Sequence, residues 1–208
     1  MGSNPFFNRA YVLRGAAYHV SANPAVHQEL YKELKGAIPD LSPESFPSFA
    51  VLEKLPYLSA VVRESLRLCN PITHRLSRKF PDKALKYQDY IIPPGSTVSM
   101  TSMLVHENES IYPEPYKFRP ERWLNEGRQF RQLERYLVPF NKGVRVCLGL
   151  NLAQTELFVI LAVIFRHFTF DVSRVSRARD IDLTRDFLIG ATAADSPGIL
   201  VEVERASD

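Results

Sequence analysis

A chain of 208 residues, 45% hydrophobic and 24% charged, has the composition of one globular domain with a sizeable core, so a single domain over residues 1–208 is the starting expectation. The net charge of +3 is small and dispersed, with no long block of like charges, which argues against nucleic acid as a partner. Cys69 and Cys147 are too few for a disulfide framework, and no Cys/His spacing among the five histidines suits structural zinc, so the chain fits a reducing compartment.

The N-terminal M-G-S-N-P-F-F-N-R-A has no basic start followed by an apolar stretch, and no targeting signal is read there. Apolar residues from Asn8 to His19 follow a helical pattern, which Asn23-Pro24 interrupts. Pro24 then suits the first turn of a second helix capped by Asn23, with Val26, Leu30 and Leu34 on one face until Gly36. Pro39 to Pro47 reads as a linker. Leu55-Pro56 opens a further helix carrying Leu58, Val61, Val62, Ser65, Leu66 and Cys69, and Asn70-Pro71 ends it. On that helix Glu64 and Arg67 stand three apart and share a face, a spacing that also suits an ordinary solvated ion pair.

From Thr73 to Met103 the pattern changes. Tyr90 to Met100 predicts two short strands around a Pro93-Pro94-Gly95 turn, and so a small sheet. Asn108 to Trp123 holds Pro113, Pro115 and Pro120, a density that predicts an ordered but irregular segment. A helix is expected over about Leu148 to His167, apolar on nearly every side and therefore enclosed by its neighbours. Its longest unbroken apolar run, Leu157 to Phe165, is shorter than the ~20 residues that span a bilayer, so no transmembrane segment is expected. The tail predicts strands at Phe168 to Val172 and Ile199 to Val203, with a hairpin over Gly190 to Pro197.

Between the irregular segment and the apolar helix lies P-F-N-K-G-V-R-V-C-L-G, Pro139 to Gly149. A lone cysteine can fill core space, act as a nucleophile or bind a metal. Nothing about a core thiol calls for an aromatic residue, two glycines and an arginine at fixed offsets, and no histidine lies near in sequence to activate a nucleophile. The pattern F-x-x-G-x-R-x-C-x-G, met at Phe140, Gly143, Arg145, Cys147 and Gly149, closely resembles the haem-binding loop of the cytochromes P-450, the haem-thiolate monooxygenases. The E-S-L-R of Glu64 to Arg67 and the F-R-P-E-R-W of Phe118 to Trp123 match two further motifs of that family in the same order. Wording such as P-P-G-S-T-V-S-M-T-S looks most like filamentous-fungal members.

The resemblance, which runs from about Asn23 to the C-terminus, implies a mainly α fold with small β-sheets, the C-terminal haem-binding part of the P-450 fold. It implies haem b, with Cys147 as the proximal thiolate on iron, favoured by the positive end of the following helix and by Arg145. Arg145 and Arg75 would each meet a haem propionate, with Arg78 the substitute for Arg75. Phe140 would shield the sulfur, Gly143 would permit a tight turn, and Gly149 would let backbone approach the macrocycle. Glu64, Arg67 and Arg122 would form a buried network whose excess positive charge needs backbone carbonyls, and no catalytic side chain is assigned. His74 and His106 are read as packing residues, not ligands.

The implied activity is insertion of one oxygen atom from O2 into a small apolar organic substrate, a terpenoid or other secondary metabolite, with electrons from an NADPH-dependent reductase. Arg128, Arg131, Arg135 and Lys142 are a candidate basic face for that donor, or else a plain solvated face. Members of this type are usually anchored in the endoplasmic-reticulum membrane. The acid-threonine pair of the family's distal helix and the helices over the substrate pocket find no counterpart, so the chain is expected to be a truncated part, inactive alone. The alternatives are an oxygen-independent dehydratase or isomerase of the same fold, and a non-catalytic haem-binding remnant.

Overall fold

The computed structural model describes residues 5–40, 42–70, 72–125, 127–187 and 189–206. Pro71 and the N-terminal M-G-S-N fall outside them. Among the described residues seven α-helices follow in chain order: α1 (Pro5–Ser21), α2 (Pro24–Ala37), α3 (Phe49–Leu52), α4 (Pro56–Leu68), α5 (Met103–His106), α6 (Arg128–Tyr136) and α7 (Leu150–His167). Eight strands lie between or after them: β1 (Leu76–Lys79), β2 (Leu85–Tyr87), β3 (Tyr90–Ile92), β4 (Thr97–Met100), β5 (Phe168–Asp171), β6 (Arg185–Phe187), β7 (Ile189–Ala191) and β8 (Glu202–Arg205). The mainly helical class with small sheets is as expected.

Helix α2 starts where its own sequence provides a cap. Asn23 accepts the amide of Val26, and Pro24 occupies the first turn of α2, where its missing N–H costs nothing. No side chain of its own caps α4; Glu33 of α2 does so, one carboxylate oxygen accepting the amide of Tyr57 and the other that of Leu58, each at 2.8 Å. A carboxylate at that end satisfies orphan donors and opposes the helix dipole. Arg166 of α7 is buried and donates from Nε to the carbonyl of Ile38 at 2.9 Å, tying α7 to the C-cap of α2. Val12, Ala16 and Val20 of α1, Val26, Leu30 and Leu34 of α2, Leu58, Val61 and Val62 of α4, and Leu157, Leu161 and Phe165 of α7 make one core.

One expectation is corrected here. Helix α7 is not enclosed on all sides, because Leu152 and Ile160 are exposed while Ala153, Leu157, Phe158, Leu161, Ala162 and Phe165 are buried. Its 18 residues, with a mean hydropathy of 1.3, also pass as a membrane span by length and composition, since residues beside the unbroken apolar run extend it. The buried face packs on α2, α3 and α4, as a core helix does.

The strands around Pro93-Pro94-Gly95 do not pair with each other. β4 pairs with β1 and β3 with β2, both antiparallel, while Gly95 donates its amide to the carbonyl of Phe80 at 2.8 Å and so carries the chain between the two ribbons. β5 pairs with β8, which begins at Glu202, later than the expected Ile199. The hairpin of the tail is β6 with β7, earlier than the expected Gly190 to Pro197; its Leu188 lies outside the described residues.

The proline-rich segment is irregular apart from a 3-10 turn over Pro120–Trp123. It is ordered by a second, smaller core of Ala60, Tyr112, Trp123 and Leu133, and by the Tyr112 hydroxyl, which donates to the carbonyl of Leu133 at 3.0 Å. This core sets α6 against α4 and delivers the chain to residues 137–149.

Candidate functional site

Glu64, Arg67 and Arg122 meet at the junction of α4 and the irregular segment. Glu64 is 0% exposed and Arg67 1% exposed. Arg67 grips the carboxylate in a fork, Nε to Oε2 at 3.0 Å and Nη2 to Oε1 at 2.8 Å, and Arg122 Nε reaches Oε1 at 3.1 Å. Two more donors complete the shell: the amide of Arg119 on Oε1 at 3.0 Å and the indole N–H of Trp123 on Oε2 at 2.8 Å. The surplus positive charge falls on carbonyls. Arg67 donates to those of His106 and Lys117, and Arg122 to those of Pro113 and Glu114. A buried carboxylate with this many donors is the condition under which buried charges are tolerated.

Trp123, the backbone of Arg119 and the accepting carbonyls were not assigned from the sequence. The single tryptophan beside Arg122 was a usable signal, since a buried indole N–H seeks an acceptor. The carbonyls carry no such signal, because every residue has one.

The loop before α7 is a tight fold of backbone with its side chains outside. Gly143 has φ +74°, which a residue with a side chain adopts only at a cost, and opens a 3-10 turn through Arg145. The amide of Cys147 donates to the carbonyl of Phe140 at 2.9 Å and closes the loop. Cys147 is exposed and unbridged, at the N-terminal end of α7. Phe140 is partly buried and packs on the main core. Gly149 has an ordinary negative φ, and a Cβ there would stand 4.0 Å from Cys147 Sγ, so the loop's own geometry does not require glycine at this position.

Val144 and Leu148 are fully exposed, and Val146 and Leu152 about half exposed, so the sequence on both sides of the thiol turns apolar side chains to solvent. Arg145 is exposed in the same loop. Arg75 is exposed at the entry to β1, and no hydrogen bond or ion pair joins it to the Cys147 loop among the described residues. Arg78 lies on β1, half-buried, and donates to the carbonyl of Ser77 at 2.9 Å. No group of three or more His, Cys, Asp or Glu able to hold a bare metal ion exists among the described residues. One thiol, a surrounding apolar surface and exposed arginines fit a flat apolar macrocycle with carboxylate edges.

Of the two histidines read as packing residues, His106 is buried, while His74 is exposed and lies 3.4 Å from Asp186. Arg128, Arg131 and Arg135 are exposed along one side of α6. Lys142 donates from Nζ to the carbonyl of Arg135 at 2.6 Å, which adds a fourth positive charge to that surface.

Comparison with known proteins agrees in kind. The family model described as Cytochrome P450 matches residues 9–195. N-acetyltryptophan 6-hydroxylase ivoC of Emericella nidulans is 38% identical over 194 residues, covering 93% of this chain and 38% of its own length. The cytochrome P450 monooxygenase tpcC of Cochliobolus heterostrophus is 42% identical, covering 93% of this chain and 39% of its own length. Tryptophan 6-hydroxylase fscE of Fusarium equiseti is 39% identical, covering 94% of this chain and 38% of its own length. The chain thus spans well under half the length of these relatives.

Proposed function

The chain belongs to the cytochrome P450 family, and on that premise we propose that it forms the haem-anchoring part of a haem-thiolate monooxygenase, with Cys147 as the iron ligand. The observation that carries this reading is an exposed thiol at the start of α7, closed onto Phe140 by its amide, in a stretch of sequence whose Val144, Val146, Leu148 and Leu152 are also exposed. Bound haem b would supply the activation of dioxygen and the insertion of one oxygen atom into an organic substrate.

Every other task falls to the chain. Cys147 would present its sulfur from the N-terminal end of α7. Arg145 and Arg75 would take the two propionates, and Arg78 would replace Arg75 if the strand end shifts. Gly143 holds the turn that places the sulfur, Phe140 covers its inner side, and Gly149 keeps backbone close to the macrocycle. The network of Glu64, Arg67 and Arg122 holds the irregular segment beside the loop and performs no chemistry.

The proposed electron donor is an NADPH-dependent reductase with an acidic face, met by Arg128, Arg131, Arg135 and Lys142. The proposed substrate is a small secondary metabolite. Two relatives are named for hydroxylating tryptophan or its N-acetyl derivative, which sets an indole beside the terpenoid class. Because Cys147 and its apolar neighbours face solvent, oxygen chemistry at these residues alone would be open to water, and the 208 residues are proposed to hold haem without turnover.

The deciding measurement is the difference spectrum of the haem-titrated chain after reduction and carbon monoxide, with Cys147→Ala beside it. A red-shifted Soret band that the variant lacks is expected. Absence of haem uptake by the wild-type chain would remove this reading.

A further inference from the structure

The Glu64 network and the Cys147 loop are joined through His106. Its carbonyl accepts Arg67 Nη1 at 2.9 Å, and its ring Nε2 accepts the amide of Val138 at 3.0 Å. A backbone amide can only donate, so Nε2 must present its lone pair and a neutral ring must carry its hydrogen on Nδ1. The ring is 1% exposed and stands edge-on to Tyr112, with centroids 6.4 Å apart. Burial, with the Arg67 guanidinium adding to it, pushes the pKa down to about 3, so the ring is neutral in ordinary buffers. Nδ1 has no partner among the described residues, and neither has the buried Oδ1 of Asn70; both residues border a cavity of about 540 Å³.

The connection continues past Val138. The carbonyl of Val138 accepts the amide of Asn141 at 3.2 Å, and the carbonyl of Phe140 accepts the amide of Cys147 at 2.9 Å. A packing residue at position 106 would need only volume. Here the ring also offers an acceptor to the strand of chain that enters the loop, while the same residue's carbonyl holds the network.

We propose that His106, as the Nδ1–H tautomer, is a positioning residue for the thiolate site: it couples Arg67 to the backbone of residues 138–140 and so fixes the Phe140–Cys147 closure that places the sulfur. This rests on the reading of Cys147 as the haem ligand. Without the acceptor, residues 138–141 shift relative to α7, and haem that still binds loses thiolate ligation.

The test uses the full chain with His106→Gln, whose Oε1 can accept in place of Nε2, and His106→Leu, which fills volume and cannot accept. Each is titrated with haem, and the fraction of bound haem with a Cys147-dependent, thiolate-type Soret band is recorded after reduction and carbon monoxide, next to the far-ultraviolet circular dichroism. H106Q is expected to keep the wild-type fraction, and H106L to lose it severalfold at unchanged helicity. An H106L fraction equal to wild type, or an equal loss in a folded H106Q, overturns the proposal. Should H106L fail to fold, long-range nitrogen–proton correlation on the wild-type ring decides: a bare Nε2 with a protonated Nδ1 supports the coupling, and the opposite tautomer ends it. A wild-type chain with no Cys147-dependent band instead removes the ligand reading itself, and the proposal with it.

Discussion

Trp123 donates its indole N–H to Oε2 of Glu64 at 2.8 Å, across 59 positions of sequence, and so fastens the end of the proline-rich segment to the C-terminal half of α4. The same oxygen accepts Arg67 Nε, while Oε1 accepts Arg67, Arg119 and Arg122. Every lone pair of the carboxylate is in use, which is why a full negative charge can sit where solvent cannot reach.

Glu64→Gln removes the charge that faces two arginines and puts an amide N–H among donors. Breaking a buried pair by neutralising one partner costs ~3–5 kcal/mol. Trp123→Phe keeps most of the ring and loses one donor to a charged acceptor, ~1.5–3 kcal/mol. Urea denaturation of the two variants should rank E64Q well below W123F, and the reverse order would contradict the geometry.

Gly15 lies inside α1, where alanine would ordinarily gain ~1 kcal/mol of helix propensity. A Cβ there would stand 2.3 Å from Cys69 Sγ and 3.1 Å from its Cβ. Overpacking of a tight core costs ~1–3 kcal/mol, so the clash wins and Gly15→Ala should destabilise. Adding Cys69→Ala removes the sulfur and should return most of the loss, a coupling visible in the denaturation midpoints of the four proteins of the cycle.

The two thiols should differ in reactivity. Cys147 is exposed, whereas Cys69 is buried and its burial pushes the thiol up to about 12. Ellman's reagent at pH 8 should label one equivalent quickly and a second only in denaturant, and Cys147→Ala should abolish the fast phase. The same substitution, at a solvent-facing position, should alter stability by no more than ~0.5 kcal/mol. Two fast equivalents in the native chain would show that the α1–α4 contact opens.

Acid should weaken the fold before carboxylates titrate. Burial holds the rings of His19 and His106 at about 3, below the ~6.5 of an unfolded chain. Between those values the unfolded state binds more protons, so the stabilisation is full above pH ~6.5 and falls as pH drops, by ~1.4 kcal/mol per pH unit for each ring. Asp180, held below the usual carboxylate range by its bond to Arg179, adds a loss of the same sign at lower pH. Urea midpoints at pH 7.5 and 5.5 should fall toward acid, with a shallower slope in H106Q; a flat profile would mean the rings are reached by water.

What could be read from the sequence was whatever lies in one short string. E-S-L-R, F-R-P-E-R-W and the Cys147 loop each bring their chemistry in consecutive residues, and the helices carry their own periodicity. Pairing was not readable in that way. Pro93-Pro94-Gly95 looks like a hairpin turn, yet its strands find Leu76–Lys79 and Leu85–Tyr87, because tertiary packing and not the turn selects partners. Composition made α7 look buried all round, since hydropathy counts apolar residues without saying which of them have neighbours. His106 looked like filler because its two bonds are made to and from backbone, which no residue pattern records.

The strands occur among the described residues only as ribbons of two, and this divides the molecule by how its amides open. In β2 and β3, Tyr87, Tyr90 and Ile91 are all largely exposed, so little burial opposes separation of that ladder. Amides there should exchange with deuterium through local fluctuations, within the time of a short labelling pulse. Those of α4, pinned at one end by Glu33 and at the other by Glu64 and Arg67, should exchange only when the whole chain unfolds. The β2–β3 ribbon can therefore accept substitutions and insertions at low cost, while α4 sets the lifetime of the folded state.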